Sequence, residues 1–140
     1  MINKGRFVLG GVIATIICFG TDGLMHNKIV KGAWDALFTA LGYHPVQGHD
    51  AMAFLYFILF EIGRGFLALT LYVLLRPRLQ PGVKTAVIAG LITWLAFSVT
   101  GPVQMVPLGL YSVGLWWQIA AVQLVTTILA AVAGAAPYKE

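Results

Sequence analysis

The sequence predicts an all-α, polytopic membrane protein: four transmembrane helices, with an extra interfacial amphipathic helix between spans one and two. Its 140 residues are 59% hydrophobic and only 10% charged, with a mean hydropathy of +0.86. A soluble domain carries about 25% charged residues, so this chain has too little polar surface to cover a globule in water. The composition therefore argues against a soluble enzyme, a disordered protein and a nucleic-acid-binding protein. The length fits one domain, residues 1–140.

Four apolar stretches carry the prediction of four spans, and they cover residues 7–25, 51–75, 85–100 and 110–136. A bilayer core of about 30 Å needs about 20 helical residues. The third stretch reaches that length only if the uncharged residues after it extend the helix. None of the four alternates polar and apolar residues as β-barrel strands do, and helices satisfy their own backbone hydrogen bonds in lipid.

Prolines and glycines predict where the helices end. Pro77 and Pro81 are expected to stop the second helix, and Gly82 eases the chain reversal that follows. Gly101 and Pro102 are expected to end the third helix.

The connection between the first two spans predicts a short amphipathic helix at the outer interface, because apolar residues recur there at helical spacing. The alternative is that this helix continues span one without a break. The apolar positions are Ile29, Val30, Ala33, Trp34, Leu37, Phe38 and Leu41, and the polar ones are Lys28, Lys31, Asp35 and Thr39.

The distribution of basic residues predicts the orientation. Four spans place one group of six lysines and arginines on one side and a group of two on the other, and the positive-inside rule assigns the richer side to the cytoplasm. Both termini are then cytoplasmic, in a bacterial inner membrane. The first group is Lys4, Arg6, Arg76, Arg78, Lys84 and Lys139, and the second is Lys28 and Lys31.

Charged residues within the spans are the most informative feature of the sequence. At about 1.5 Å of rise per residue, Arg64 lies about 18 Å from the basic side, Glu61 about 22 Å and Asp22 about 24 Å. Ser98 and Gln123 both fall near 21 Å by the same count. Each of the four spans thus contributes to one polar layer. Charges in a bilayer normally face the bundle interior and pair, and Glu61 and Arg64 share a helical face at i,i+3 spacing.

Two hypotheses fit this layer, and the sequence does not separate them. In the first, the layer is a structural clasp in which Arg64 bridges Glu61 and Asp22 while Gln123 supplies a further hydrogen bond. In the second, the layer is a site for a proton, an ion or a small polar ligand, as in a channel or transporter-like protein.

Catalytic and metal-binding patterns are weak in this sequence. Asp22 and His26 have the i,i+4 spacing of two metal ligands on one helix, and His44 and His49 are predicted on the same side of the membrane. No HExxH pattern, nucleophile elbow or dithiol accompanies them. We therefore predict no metal, no cofactor and no catalytic residues, and a membrane enzyme is only the third hypothesis.

The leading hypothesis from the sequence is a small, non-enzymatic inner-membrane protein that self-associates or serves as a subunit of a membrane complex. Four helices make a thin bundle, and the alanines and glycine of residues 130–136 predict a surface on which another helix could pack.

Short motifs resemble an uncharacterised group of small four-span bacterial membrane proteins. They are the Gly10–Gly11 pair, the Lys-Gly-Ala-Trp-Asp stretch at residues 31–35, and Lys-Thr-Ala-x-x-x-Gly-Leu-x-x-Trp at residues 84–94. The resemblance implies a four-span architecture and assigns no activity and no functional residue.

The predicted orientation can be tested by labelling single cysteines in intact cells. Cys18 is the only natural cysteine, so Cys18→Ala provides the background for Gly48→Cys and Gln80→Cys. A membrane-impermeant maleimide should label position 48 and should reach position 80 only after the cells are opened. Labelling of position 80 from outside would reverse the orientation.

Overall fold

This computed structural model describes residues 3–42 and 51–138, with the side chains of 51–53 left out of the description. The described residues form six α-helices and two π-helical segments, and four helical stretches are long and apolar enough to cross a membrane. The α-helices are α1 (Lys4–Met25), α2 (Lys31–Ala40), α3 (Ala51–Leu79), α4 (Val83–Trp94), α5 (Gly101–Val103) and α6 (Val113–Ala135). The π-helical segments are His26–Val30 and Leu95–Thr100, and a 3-10 turn, Ala136–Tyr138, follows α6.

Contacts at one end of the bundle show that successive spans run in opposite directions. The Tyr138 hydroxyl, after α6, donates a hydrogen bond to the Asn3 carbonyl, before α1, at 3.3 Å. Arg76, near the end of α3, lies over the Tyr138 ring at 5.3 Å. Ala86 of α4 belongs to the same hydrophobic cluster as Tyr138. We call this the basic end, because the helical turns that meet there contain Lys4, Arg76, Arg78 and Lys84.

The first helix does not stop where span one stops. α1 passes through the π-helical segment directly into α2, so helical backbone is continuous over Lys4–Ala40. The predicted amphipathic helix is present, but it continues the first span, which was the alternative. Trp34 and Leu37 pack against the first turns of α6, whereas Lys31 and Asp35 are exposed and form an ion pair at 2.6 Å.

The prediction that Pro77 stops the second helix is wrong, although the helix does end before Pro81. Pro77 lies inside α3, which ends at Leu79 instead; the reversal is made by Gln80 and Gly82, with φ of 67° and 146°. Pro77 lacks the N–H that would bond the carbonyl four residues earlier, and its ring crowds that carbonyl, but only two helical residues follow it, so the disturbance is confined to the last turn.

The third span also continues past its predicted end. After α4 the chain passes through the π-helical segment Leu95–Thr100 and then through Gly101–Val103 before it leaves the helix. Pro102 stands at the start of that short α-helical turn, where its fixed φ is tolerated. Two indole N–H groups tie this span to α6: Trp94 donates to the Ala120 carbonyl at 2.7 Å, and Trp116 donates to the Val99 carbonyl at 3.2 Å.

Small residues let the helices approach closely near the basic end. A Cβ atom added to Gly10 of α1 would lie 2.3 Å from the Gly134 carbonyl oxygen of α6. Ala130, Ala131 and Ala135 are likewise buried against the chain's own helices. The buried part of residues 130–136 is therefore used within the bundle, and contact of its remaining part with another chain stays a prediction.

Gly10 can be tested against Gly20 on the same helix, around which an added Cβ would meet no atom within 4 Å. Gly10→Ala should lower the free energy of unfolding by about 1–3 kcal/mol, the range for overpacking. Gly20→Ala should leave it unchanged or raise it by up to about 1 kcal/mol, because alanine favours helix over glycine. Denaturant unfolding in bicelles measures both. Equal effects of the two substitutions would contradict the close approach of α1 and α6.

Candidate functional site: a buried charged layer

Arg64 stands at the centre of the bundle and has no exposed surface. Its Nη1 lies 2.8 Å from Asp22 Oδ2 of α1, and its Nη2 lies 2.7 Å from Glu61 Oε2 on its own helix. Asp22 and Glu61 are also buried, with 6% and 5% of their surface exposed. The predicted bridge from Arg64 to both carboxylates is confirmed.

Gln123 brings α6 into the same layer. Its Nε2 donates a hydrogen bond of 2.9 Å to Asp22 Oδ2, the oxygen that also faces Arg64. The predicted role of Gln123 is therefore confirmed, and Asp22 joins α1 to α3 and to α6 at once. We call Asp22, Glu61, Arg64 and Gln123 the charged layer.

The close approach of α1 and α3 beside the charged layer depends on Gly65. A Cβ atom at this position would lie 2.7 Å from the backbone nitrogen of Thr15, so any larger residue would push the helices apart. Cys18, one turn along α1 from Thr15, is fully buried. The Phe60 ring lies 5.7 Å from the Arg64 guanidinium carbon and adds a weak cation–π contact.

The contacts of Arg64 are at ion-pair distance but are not aligned as hydrogen bonds. Within the described part of the chain, Nε, Nη1 and Nη2 of Arg64 and Oε2 of Glu61 are buried without a hydrogen-bond partner in good geometry. Among the same described residues, Asp22 Oδ1 is likewise buried without a partner, but Gln123 gives the other oxygen, Oδ2, one well-formed hydrogen bond, whereas Glu61 Oε2 has none.

Ser98 is the predicted contribution of the third span to the layer, and it lies in the π-helical segment Leu95–Thr100. The structure confirms that it is buried, but its hydroxyl forms no hydrogen bond with any described residue. Thr127 of α6 is in the same condition. The depth estimated from the rise per residue therefore identified Ser98 as a member of this level of the bundle, but it did not identify a partner for the Ser98 hydroxyl.

His26, the second candidate metal ligand beside Asp22, has one ring nitrogen in a different contact, and its Nε2 is buried without a partner among the described residues. Its Nδ1 accepts a hydrogen bond of 3.2 Å from the Trp34 indole N–H, and the two rings stack at 6.1 Å. Among residues 3–42 and 51–138, no group of three or more His, Cys, Asp or Glu side chains is placed to hold a metal ion. His44 and His49 lie outside the described residues.

A groove of about 450 Å³ lies elsewhere, between α2 and the start of α6. Its walls are mainly small and apolar, and Tyr111, Ser112 and Gln118 supply its polar groups. It shares no lining residue with the charged layer. No pattern in the sequence predicts this groove, since it forms only where two helices separated by about 70 residues meet.

Comparison with protein-family models, with curated proteins and with solved structures finds no significant match to this chain. The resemblance in short motifs therefore stays a prediction, and the geometry of the charged layer is what bears on function.

Replacing Arg64 tests the energetic weight of the layer. Arg64→Ala leaves Asp22 and Glu61 buried without their shared counterion and should lower the free energy of unfolding by about 3–5 kcal/mol. The control is Lys31→Ala, which removes an ion pair whose side chains are 62% and 58% exposed and should cost about 1 kcal/mol or less. Denaturant unfolding in bicelles compares them. A loss below about 1 kcal/mol for Arg64→Ala would show that the layer does not hold the bundle together.

Proposed function

We propose that this is a small, non-enzymatic integral protein of the bacterial inner membrane, with both termini in the cytoplasm and the charged layer acting as a structural clasp. The observation that carries the proposal is the complete burial of Arg64 between two carboxylates of its own chain. A site that binds a polar substrate through a guanidinium needs that guanidinium to be accessible to the substrate. Here Asp22 and Glu61 of the same chain already contact the Arg64 guanidinium.

The clasp joins three of the four spans. Asp22 belongs to α1, Glu61 and Arg64 to α3, and Gln123 to α6. α4 is held to α6 differently, through the two indole hydrogen bonds and the contact of Gly90 with Ala131 and Ile128. Such a bundle is suited to serve as a fixed structural unit, which supports a role in assembly over a role in catalysis.

We further propose that the protein self-associates or is a subunit of a membrane complex. The support comes from α3, where four consecutive residues, Phe54, Leu55, Tyr56 and Phe57, are 44–65% exposed. Successive helical residues are about 100° apart, so these four face nearly every direction around the helix. Among the described residues the Phe54 ring contacts the Phe19 ring, and the exposed sides of these four residues are open to another helix.

A channel or transporter-like function is the second candidate, and one observation favours it. The layer contains two carboxylates and one guanidinium, so its formal charges do not balance. A proton or cation that crosses the membrane would meet a site of negative charge at this depth.

The oligomeric state tests the assembly proposal. Native mass spectrometry of the protein released from lipid nanodiscs should show a homo-oligomer or a defined complex with a second protein. The triple variant Asp22→Asn, Glu61→Gln, Arg64→Met keeps the layer's shape without charge and should keep both the fold and this assembly, since neutral replacement of a complete buried ion-pair group is often tolerated.

Disulfide cross-linking provides the matched control on the exposed surface. In the Cys18→Ala background, Phe57→Cys should cross-link two copies in membranes if the chain self-associates through α3, whereas Leu129→Cys, at a similarly exposed position of α6, should not. A monodisperse monomer in native lipid would contradict the assembly proposal. A triple variant that folds and assembles but fails where the wild type functions in cells would favour the transport hypothesis.

A further inference from the structure

The charge count of the layer has a chemical consequence. With both carboxyl groups ionised, Asp22, Glu61 and Arg64 together carry one net negative charge, and none of the three has more than 6% of its surface exposed. An uncompensated charge in a membrane interior is strongly unfavourable. Arginine does not lose its proton in proteins, so the layer reaches neutrality only if one carboxyl group binds a proton.

The two carboxyl groups are not equivalent. Asp22 Oδ2 receives a hydrogen bond from Gln123 and faces Arg64 Nη1, and both groups stabilise a negative charge on Asp22. Glu61 has only the contact between Oε2 and Arg64 Nη2 among the described residues, and that contact is not aligned as a hydrogen bond. Beside Glu61, the Phe60 ring packs on Phe97 of the π-helical segment at 5.3 Å. Negative charge is therefore better supported on Asp22.

The remaining ionisable groups near Glu61 do not change this balance. On α1, Cys18 and Asp22 lie within its electrostatic reach, and His26 interacts with Asp22 and Arg64. On α3 the group is Arg64. The π-helical segment after α4 supplies the uncharged Ser98, and α6 supplies the uncharged Gln123. The only charged residue within 83–138 is Lys84, at the basic end.

We propose that Glu61 is a proton-binding site, holding one exchangeable proton that keeps the charged layer electrically neutral. Release breaks the carboxyl O–H bond, leaves the electron pair on Glu61 and gives the proton to water. Arg64 then faces two full negative charges and is drawn toward Glu61 on its own helix, which weakens its contact with Asp22 on α1. This inference uses the same contacts as the proposed clasp and makes the clasp responsive to proton binding.

Infrared spectroscopy in lipid nanodiscs tests this directly, because a protonated carboxyl group has a carbonyl band that a carboxylate lacks. The chain has two glutamates, Glu61 and Glu140. At neutral pH the wild type should show this band, and ¹³C labelling of glutamate should shift it. The band should shift again in D2O. It should persist in the control Glu140→Gln and disappear in Glu61→Gln, which mimics the protonated side chain and should unfold at the same temperature as the wild type.

Asp22→Asn gives a second, less obvious expectation. With Asp22 neutral, Glu61 becomes the only anion available to Arg64, so it should ionise and its band should disappear although Glu61 itself is unchanged. If this variant does not fold, the labelled comparison of Glu61→Gln with Glu140→Gln decides alone. A wild-type band that fails to shift with ¹³C-glutamate, or that survives in a folded Asp22→Asn, would overturn the inference. If the infrared results contradict a proton on Glu61 while the assembly and the effect of Arg64→Ala persist, the inference fails and the proposed function stands.

Discussion

A guanidinium that cannot lose its proton and has no exposed surface is the constraint on which this bundle depends. Arg64 has no exposed surface, and a charge in a membrane interior must find an anion there. The nearest anion on its own helix is Glu61 and the nearest on another helix is Asp22. Because the second partner belongs to α1, satisfying Arg64 also fixes the position of one span against another.

The short contacts of Arg64 are possible because the helices approach each other closely. Gly65 lets the α3 backbone approach Thr15 of α1, and at the basic end Gly10 and Gly134 do the same for α1 and α6. In lipid, apolar side chains gain little by leaving their surroundings, so helices associate through close packing and polar contacts. The bundle divides these roles along its length, with small residues near the basic end and the charged layer about 16–18 Å away along α1 and α6.

Much of this arrangement could be predicted from the sequence because two regularities of helices are rigid. The fixed rise per residue placed Asp22, Arg64 and Gln123 at one depth, and the structure joins them in one network. Helix continuity was harder to predict. Pro77 and Pro102 are both accommodated within helical backbone, because each lies near the end of its helical stretch, where few residues follow that a proline could disturb.

Other features depend on tertiary contacts that no local pattern contains. The two π-helical segments lie beside indole groups with long-range hydrogen bonds or ring contacts, such as Trp34 with His26 and Trp116 with Val99. The small residues of α6 near Gly134 indicated close packing, and the structure places α1 of the same chain against Gly134. Composition indicates that a helix face packs closely, and only the fold shows against what.

The central claim is that the contact between Asp22 and Arg64 holds α1 to α3, and a double-mutant cycle measures it most directly. Unfolding of wild type, Asp22→Asn, Arg64→Met and the double variant in bicelles gives the coupling energy of the pair. Hydrogen bonds between membrane helices average about 0.6 kcal/mol, and a fully buried ion pair should exceed that, at about 1–3 kcal/mol. A coupling energy below about 0.3 kcal/mol, with both single variants folded, would show that the two side chains are neighbours without being partners.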